Sequence, residues 1–389
     1  MDEPKKKKLF LIIGGLLLYL ASAGASYATF SYLRGEPVIT GLTSPLPIGE
    51  SRFRIDPNAP KTASCPLNGK MYTEAEKKIW EQRRPLGIMI ENHAEARPQS
   101  GLSRADIIYE AVAEGGITRF MAIFYCGASA EEVTVGPVRS ARTYYLDWIS
   151  EYGEFPLYAH VGGANVPGKA NALGQIADYG WLSAGNDINQ FSVGFPTFWR
   201  DYERLDHPVA TEHTMYSTTD KLWEVAQKRG ITKLDREGNS WEKTFTPWQF
   251  KEEGKDRGEV DRIEVTFWSG YQEYNVIWEY DKEANLYKRI NDSNPHKDLN
   301  NDEQLAVKNV VVQFAQEKGP IDDLKHLLYQ TTGSSKALVF QDGQVIKGTW
   351  EKDDREERTK FLDNQGKEVS FNKGEIWIEV VPAGKDVVY

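Results

Sequence analysis

Ala105 to Cys126 reads "ADIIYEAVAEGGITRFMAIFYC", two apolar runs of strand length joined by Gly115-Gly116. Two glycines between apolar runs are a hairpin signal, because both central positions of the tightest hairpin turns need a left-handed backbone. Side chains alternate along a strand, so the turn predicts that Val112 faces Arg119 and that Glu110, Val112 and Glu114 share one face with Arg119 and Met121. Upstream, "PLGIMIEN" (Pro85 to Asn92) reads as a third strand, and "TEAEKKIWEQRRP" from Thr73 opens as a capping box with Glu76 and closes at Pro85. Downstream, "EVTVGP" and "PLYAHVGG" read as further strands. Val138 to Tyr152 carries Val138, Ala141, Tyr145, Trp148, Ile149 and Tyr152 at helical spacing. Helices are also expected in "PGKANALGQIADYG" and "TTDKLWEVAQKRG". Strands interspersed with helices predict an α/β or α+β layered domain over residues 73–230.

Beyond about residue 240 the pattern changes to short alternating strands, among them "RIEVTFW", "YNVIWEY", "NVVVQFA", "KALVFQDGQVIKGTW" and "EIWIEVVP", with Asp342-Gly343 a second hairpin signal. A mostly β domain, a sandwich or barrel, is expected over 240–389. Its aromatic residues alternate with polar ones, which favours core packing over sugar stacking. The chain has 389 residues, 40% of them hydrophobic and 12% aromatic, enough for two such cores. Its 57 acidic and 47 basic residues give a formal charge of -10. That balance argues against nucleic acid as a partner, since phosphate backbones need a concentrated basic face.

The N-terminus sets the compartment. Residues 1–8 form a basic tail ending in Lys5 to Lys8, and residues 9–33 are uncharged. At about 1.5 Å per residue such a run can cross a hydrocarbon core of roughly 30 Å, with the lysines keeping the tail in the cytoplasm. A cleaved signal peptide, with a shorter apolar core and Ala21-Ser22-Ala23 near the cut, is the competing reading. Either one exports the bulk of the chain and makes the membrane its first partner; the anchor reading gives a single-pass membrane protein. Residues 34–72, rich in Pro, Gly and Ser, are expected to be a linker. In an oxidising compartment Cys65 and Cys126 can form one disulfide, closing a loop of about 60 residues for roughly 4 kcal/mol, or remain two buried thiols.

"IENHAEARPQSGLSRADIIYEAVAEGGITRFMAIFY", then "GPVRSAR" and "HVGG", resembles the YerB-like lipoprotein family, a two-domain family of unknown function. "KNVVVQF", "TTGSSKALVFQDGQVIKGTW" and "EIWIEVVP" are similar to its C-terminal domain, and the likeness spans about residues 80–385. The resemblance implies an envelope location and, usually, a lipid anchor. No lipobox cysteine directly follows the apolar run here, so a protein anchor is expected in place of the lipid. The resemblance implies no activity and supplies no catalytic residues.

"VGPVRSAR" (Val135 to Arg142) carries the sharpest chemistry. If a helix starts near Pro137, Arg139 and Arg142 share a face, repel each other and oppose the helix dipole, so an anion should balance them. Two sources are open. Glu110, Glu114 or Asp147 can pair internally with Arg119, Arg139 and Arg142. Alternatively the arginine forks and free helix N-H groups hold an external phosphate, pyrophosphate or carboxylate. The order of an acidic strand, a hairpin, an arginine-bearing segment and a strand ending in Gly-Gly is similar in pattern to LytR-CpsA-Psr envelope proteins. That likeness implies polyprenyl-pyrophosphate-linked glycans and a glycan phosphotransferase; an anionic envelope polymer or a polyprenyl phosphate is the corresponding ligand.

Asn92 and Arg97, in the polar loop "ENHAEARPQS", and His160, before Gly162-Gly163, complete the candidate ligand set. A glycosidase pair is disfavoured, since four residues along a strand separate Glu110 and Glu114 by about 13 Å against the roughly 5 to 9.5 Å such pairs need. His207 and His213 lack the H-E-x-x-H spacing, so no metal is expected. No cofactor or G-x-S-x-G elbow is indicated. The alternative to a ligand-binding protein is a scaffold whose arginines serve internal ion pairs, and catalysis is decided neither way.

Overall fold

The structure is a computed structural model that describes residues 55–56 and 58–389. The expected membrane span or signal peptide lies outside these residues, and no helix among the described residues is long and apolar enough to cross a membrane. The capping box forms as expected at helix α1 (Glu74–Trp80): Thr73 accepts from the Glu76 amide and Glu76 from the Thr73 amide. Part of the expected linker is ordered. Lys61–Ser64 pairs with Met71–Thr73, and the next residue, Cys65, forms a disulfide with Cys126, Cα atoms 6.0 Å apart. The bridge spans a sequence separation of 61 residues, so it anchors this hairpin to the core.

Ten strands form one mixed sheet. The N-terminal half supplies β1 (Leu86–Glu91), β2 (Ile107–Glu114), β3 (Ile117–Phe124), β4 (Leu157–His160) and β5 (Asp187–Asn189). A smaller antiparallel sheet is built around β6 (Arg262–Val265), β7 (Val276–Asp281) and β8 (Leu286–Asn291). The C-terminal half then returns to the large sheet with β9 (Asn309–Ala315), β10 (Gly333–Gln341), β11 (Gln344–Lys352), β12 (Lys360–Asp363) and β13 (Ile376–Pro382). The spatial order is β12-β11-β10-β9-β13-β2-β3-β1-β4-β5. The C-terminal region is therefore mostly β, as expected, but it does not close into its own sandwich or barrel. Its strand β13 pairs in parallel with β2, Ile376 beside Ile107 and Glu379 beside Glu110. Parallel pairing needs a long connection, and the intervening chain provides it.

The hairpin of β2 and β3 turns at Gly115 and Gly116, whose φ values of 58° and 83° are what a tight primed turn demands. Its register departs from the even alternation expected from sequence. Ala111 faces Arg119, Val112 faces Thr118, and a bulge then brings Glu114 opposite Ile117. The extra residue moves Glu114 to the face opposite Glu110.

Helix α2 (Thr143–Ile149) lies across one face of the sheet with Tyr144, Tyr145, Leu146 and Trp148 buried. Trp148 stacks on Tyr109 at 5.6 Å between centroids, and each such aromatic contributes about 1.5–3 kcal/mol through burial. The helix is shorter than the expected span from Val138. Arg142, with φ -134°, is its cap, and residues 138–141 run extended, bridging Ile90 through Val138 and Gly163 through Ala141. Helices α3 (Ala172–Asp178) and α4 (Thr219–Lys228) match the expected segments. On the other face, Trp278 of β7 meets Trp377 of β13 at 5.2 Å, packing the small sheet on the large one.

Candidate functional site

Two carboxylate–arginine clusters grow from β2, one on each face. The first is sealed. Arg289 of β8 donates through Nη2 to Glu110 Oε2 at 2.7 Å and through Nη1 to Glu379 Oε1 at 3.1 Å, with all three side chains fully buried. Thr118 Oγ1 (2.6 Å) and Asn92 Nδ2 (3.2 Å) donate to Glu110 Oε1, and Trp278 Nε1 (2.9 Å) to Glu379 Oε1. The guanidinium also lies over Trp377, 4.4 Å from the ring centroid. Burial first, and then the adjacent Glu110 carboxylate, push Glu379 well above the usual carboxylate range. Glu379 is therefore held toward its neutral form beside Arg289. His296, 2.9 Å from Arg289 Nε, is pushed well below the usual histidine range by burial and then by Arg289, so it stays neutral. A buried network of this kind is costly unless its groups are paired, and Arg289 pairs with both carboxyls.

The second cluster holds two of the three predicted arginines. Glu114 Oε1 accepts from Arg119 Nη2 at 2.8 Å, while Glu114 Oε2 accepts from both Nε (2.9 Å) and Nη2 (2.7 Å) of Arg142. Arg119 Nη1 reaches the Ser140 carbonyl and Arg142 Nη1 the Ala141 carbonyl. Burial acts to raise the Glu114 pKa, but the two guanidiniums outweigh it and hold the carboxyl at about 2. Asp147 takes no part: it accepts from Gln175, Tyr179 and Thr331.

Arg139 is set apart by the extended backbone. Alternation points it away from Arg142, where the expected helix would have placed both on one face. Its Nε lies 3.0 Å from Glu91 Oε1 in an ion pair, and among the described residues its two terminal amino groups make no hydrogen bond. Arg139 lines a cleft of about 670 Å³ together with Ser140, Gly162, Asn165, Asn189, Arg200 and one carboxylate, Glu212. The cleft lies beside the carboxyl ends of the parallel strands β4 and β5, where Val161 to Gly163 and Asn189 form its floor. Gly162 has φ +57°, and a Cβ there would lie 2.9 Å from the Phe191 ring. That ring is 78% exposed at the cleft.

The remaining predicted residues lie elsewhere. His160 is buried, with Nε2 2.7 Å from Asp187 Oδ1 and Nδ1 2.6 Å from the Gly162 carbonyl. Asn92 is buried in the Glu110 cluster and accepts from Arg97 Nε at 3.0 Å; Arg97 in turn lies over the Tyr274 ring. None of these three lines the cleft. Arg200, Asn165 and Asn189 had no signal in the sequence, being isolated polar residues that only tertiary contacts gather.

A two-part protein whose halves share one sheet, with a buried charge network at the seam and an arginine-bearing cleft at the sheet's edge, is the class that these features define. The chain matches the "Protein of unknown function (DUF3048) N-terminal domain" over residues 69–232 and the corresponding C-terminal domain over 263–378. It is 32% identical over 330 residues to "Putative lipoprotein YerB" of Bacillus subtilis (strain 168), covering 84% of this chain and 88% of that protein. The crystal structure of the YerB protein from Bacillus subtilis superposes with a TM-score of 0.68 at 29% identity, covering 84% of this chain and all of that one. The chain belongs to the YerB family.

Proposed function

We propose that this is a membrane-anchored, extracytoplasmic envelope protein whose cleft binds a phosphate- or carboxylate-bearing envelope ligand through Arg139 and Arg200. The observation that carries the ligand reading is the split among the three arginines: Glu114 engages Arg119 and Arg142, while the terminal amino groups of Arg139 are left to the cleft. A planar guanidinium with two free N-H groups suits bidentate recognition of an oxyanion. The position also fits, because α/β sheets hold ligands outside the carboxyl ends of their parallel strands. The Phe191 ring beside the arginines offers a face for a sugar, which suits an anionic glycan or a polyprenyl phosphate.

The anchor is read from residues 9–33 and from the lipoprotein name of the relative. Both cysteines of this chain are joined to each other, so neither is left to carry a lipid. A non-enzymatic interaction module is the second reading, favoured by Phe195 at 84% exposure near the same edge.

Calorimetric titration of the full chain in detergent with a short polyprenyl phosphate tests the first reading. Arg139→Ala is expected to weaken binding by about 10- to 100-fold, the worth of one charge-assisted contact. Unchanged affinity in both Arg139→Ala and Arg200→Ala would move the ligand elsewhere.

A further inference from the structure

His213 was paired in sequence only with His207, a spacing that suits no metal motif. The fold gives it other neighbours. The turn Thr211–His213 brings it beside the turn Ala94–Ala96, so that His93, Glu95 and His213 each offer one ligand atom within 4.8 Å of the others. We propose that these three residues form a binding site for a divalent transition-metal ion of the zinc class.

The chemistry of the donors selects the ion. Two imidazoles and one carboxylate match the nitrogen-rich sets that hold zinc, with three protein ligands and a position left for water. Calcium and magnesium ask for oxygen donors throughout. The second requirement is an outer partner that fixes the ligating ring, and His213 has one. Its Nδ1 lies 2.8 Å from Glu91 Oε2, so Nδ1 donates and Nε2 presents its lone pair toward Glu95 Oε2, 3.7 Å away. Glu91 is itself fixed from the other side by Arg139, and it is 4% exposed, so it cannot turn away.

His93 completes the set. Its ring stacks on His213 at 4.7 Å between centroids and 16° between planes, and its Nδ1 takes a long 3.3 Å contact from the Glu95 amide. Metal bonds of about 2.1 Å in tetrahedral geometry require donor atoms about 3.4 Å apart. The half-buried His93 and the Glu95 side chain, 62% exposed, are free to close that remaining distance, while His213 stays seated. The site stands independently of the anion reading of the cleft.

The test is uptake of Zn²⁺ by the metal-stripped full chain, followed by calorimetry, with Co²⁺ absorption reporting nitrogen coordination. One saturable Zn²⁺ per chain is expected. His93→Ala and Glu95→Gln should each weaken it by about 10- to 100-fold or more, as loss of a ligand is at least as severe as loss of its outer partner. Both side chains face solvent in part, so the thermal midpoint of the metal-free variants should stay near that of the parent. Should His93→Ala lower that midpoint, Glu95→Gln alone decides. Absence of saturable uptake, or uptake unaffected in Glu95→Gln, overturns the proposal.

Discussion

Glu110 and Glu114 stand on the same strand, and the bulge after Val112 sends them to opposite faces. Glu110 meets Arg289 in a seam closed to solvent, where Glu379 is held toward its neutral form and the histidine beside Arg289 stays neutral. Glu114 meets Arg119 and Arg142 with 27% of its side chain still exposed, and it stays ionised far into acid. One carboxylate is thus a structural weld and the other a local clamp. The clamp matters for function because it removes two of the three arginines from the ligand problem and leaves Arg139 facing the cleft.

Breaking the weld should cost most. Arg289→Met removes the cation paired with two carboxyls in a dry seam, and denaturant unfolding of the full chain should show a loss of about 3–5 kcal/mol. A loss below about 1 kcal/mol would mean that the seam is hydrated and the contrast false. Breaking the clamp should cost less, because water reaches it. Glu114→Gln is expected to lose about 2 kcal/mol near neutral pH.

The pH dependence of that loss is signed. The folded carboxyl titrates at about 2, below an unfolded value of about 4.3. Its stabilisation is therefore complete above about pH 4.3 and drains away as pH falls through 2. Parent and Glu114→Gln should converge over that window, and a constant gap would contradict the assignment. Arg139→Ala should cost least, about 1 kcal/mol or under, since its ion-pair partner Glu91 also holds His213 and its side chain is 25% exposed.

The hairpin from Ala105 to Cys126 and the capping box at Thr73 were legible because each is a local pattern, while the Cys65–Cys126 bridge was one of two readings that an oxidising compartment left open. The β2·β13 pairing was not, since nothing in "EIWIEVVP" names a partner hundreds of positions earlier, and it alone merges the two expected cores into one sheet. The bulge after Val112 was invisible for a different reason. Strict alternation fits "YEAVAE" as well as the observed register does, and a single inserted residue reverses the face of Glu114. The same limit misplaced Arg139 and Arg142. Apolar residues at helical spacing extend back to Val138, yet the segment pairs with Ile90 and Gly163 and stays extended until Arg142. His93, Glu95 and His213 met through two short turns, for which no periodic signal exists.

Binding of inorganic pyrophosphate to the parent, Glu114→Gln and Arg139→Ala, with far-ultraviolet circular dichroism confirming folded protein in each, separates clamp from cleft. The division of the arginines predicts that Glu114→Gln binds within a few-fold of the parent while Arg139→Ala loses about 10-fold or more. Equal weakening in both, or loss in Glu114→Gln alone, would contradict it and return Arg119 and Arg142 to the ligand site.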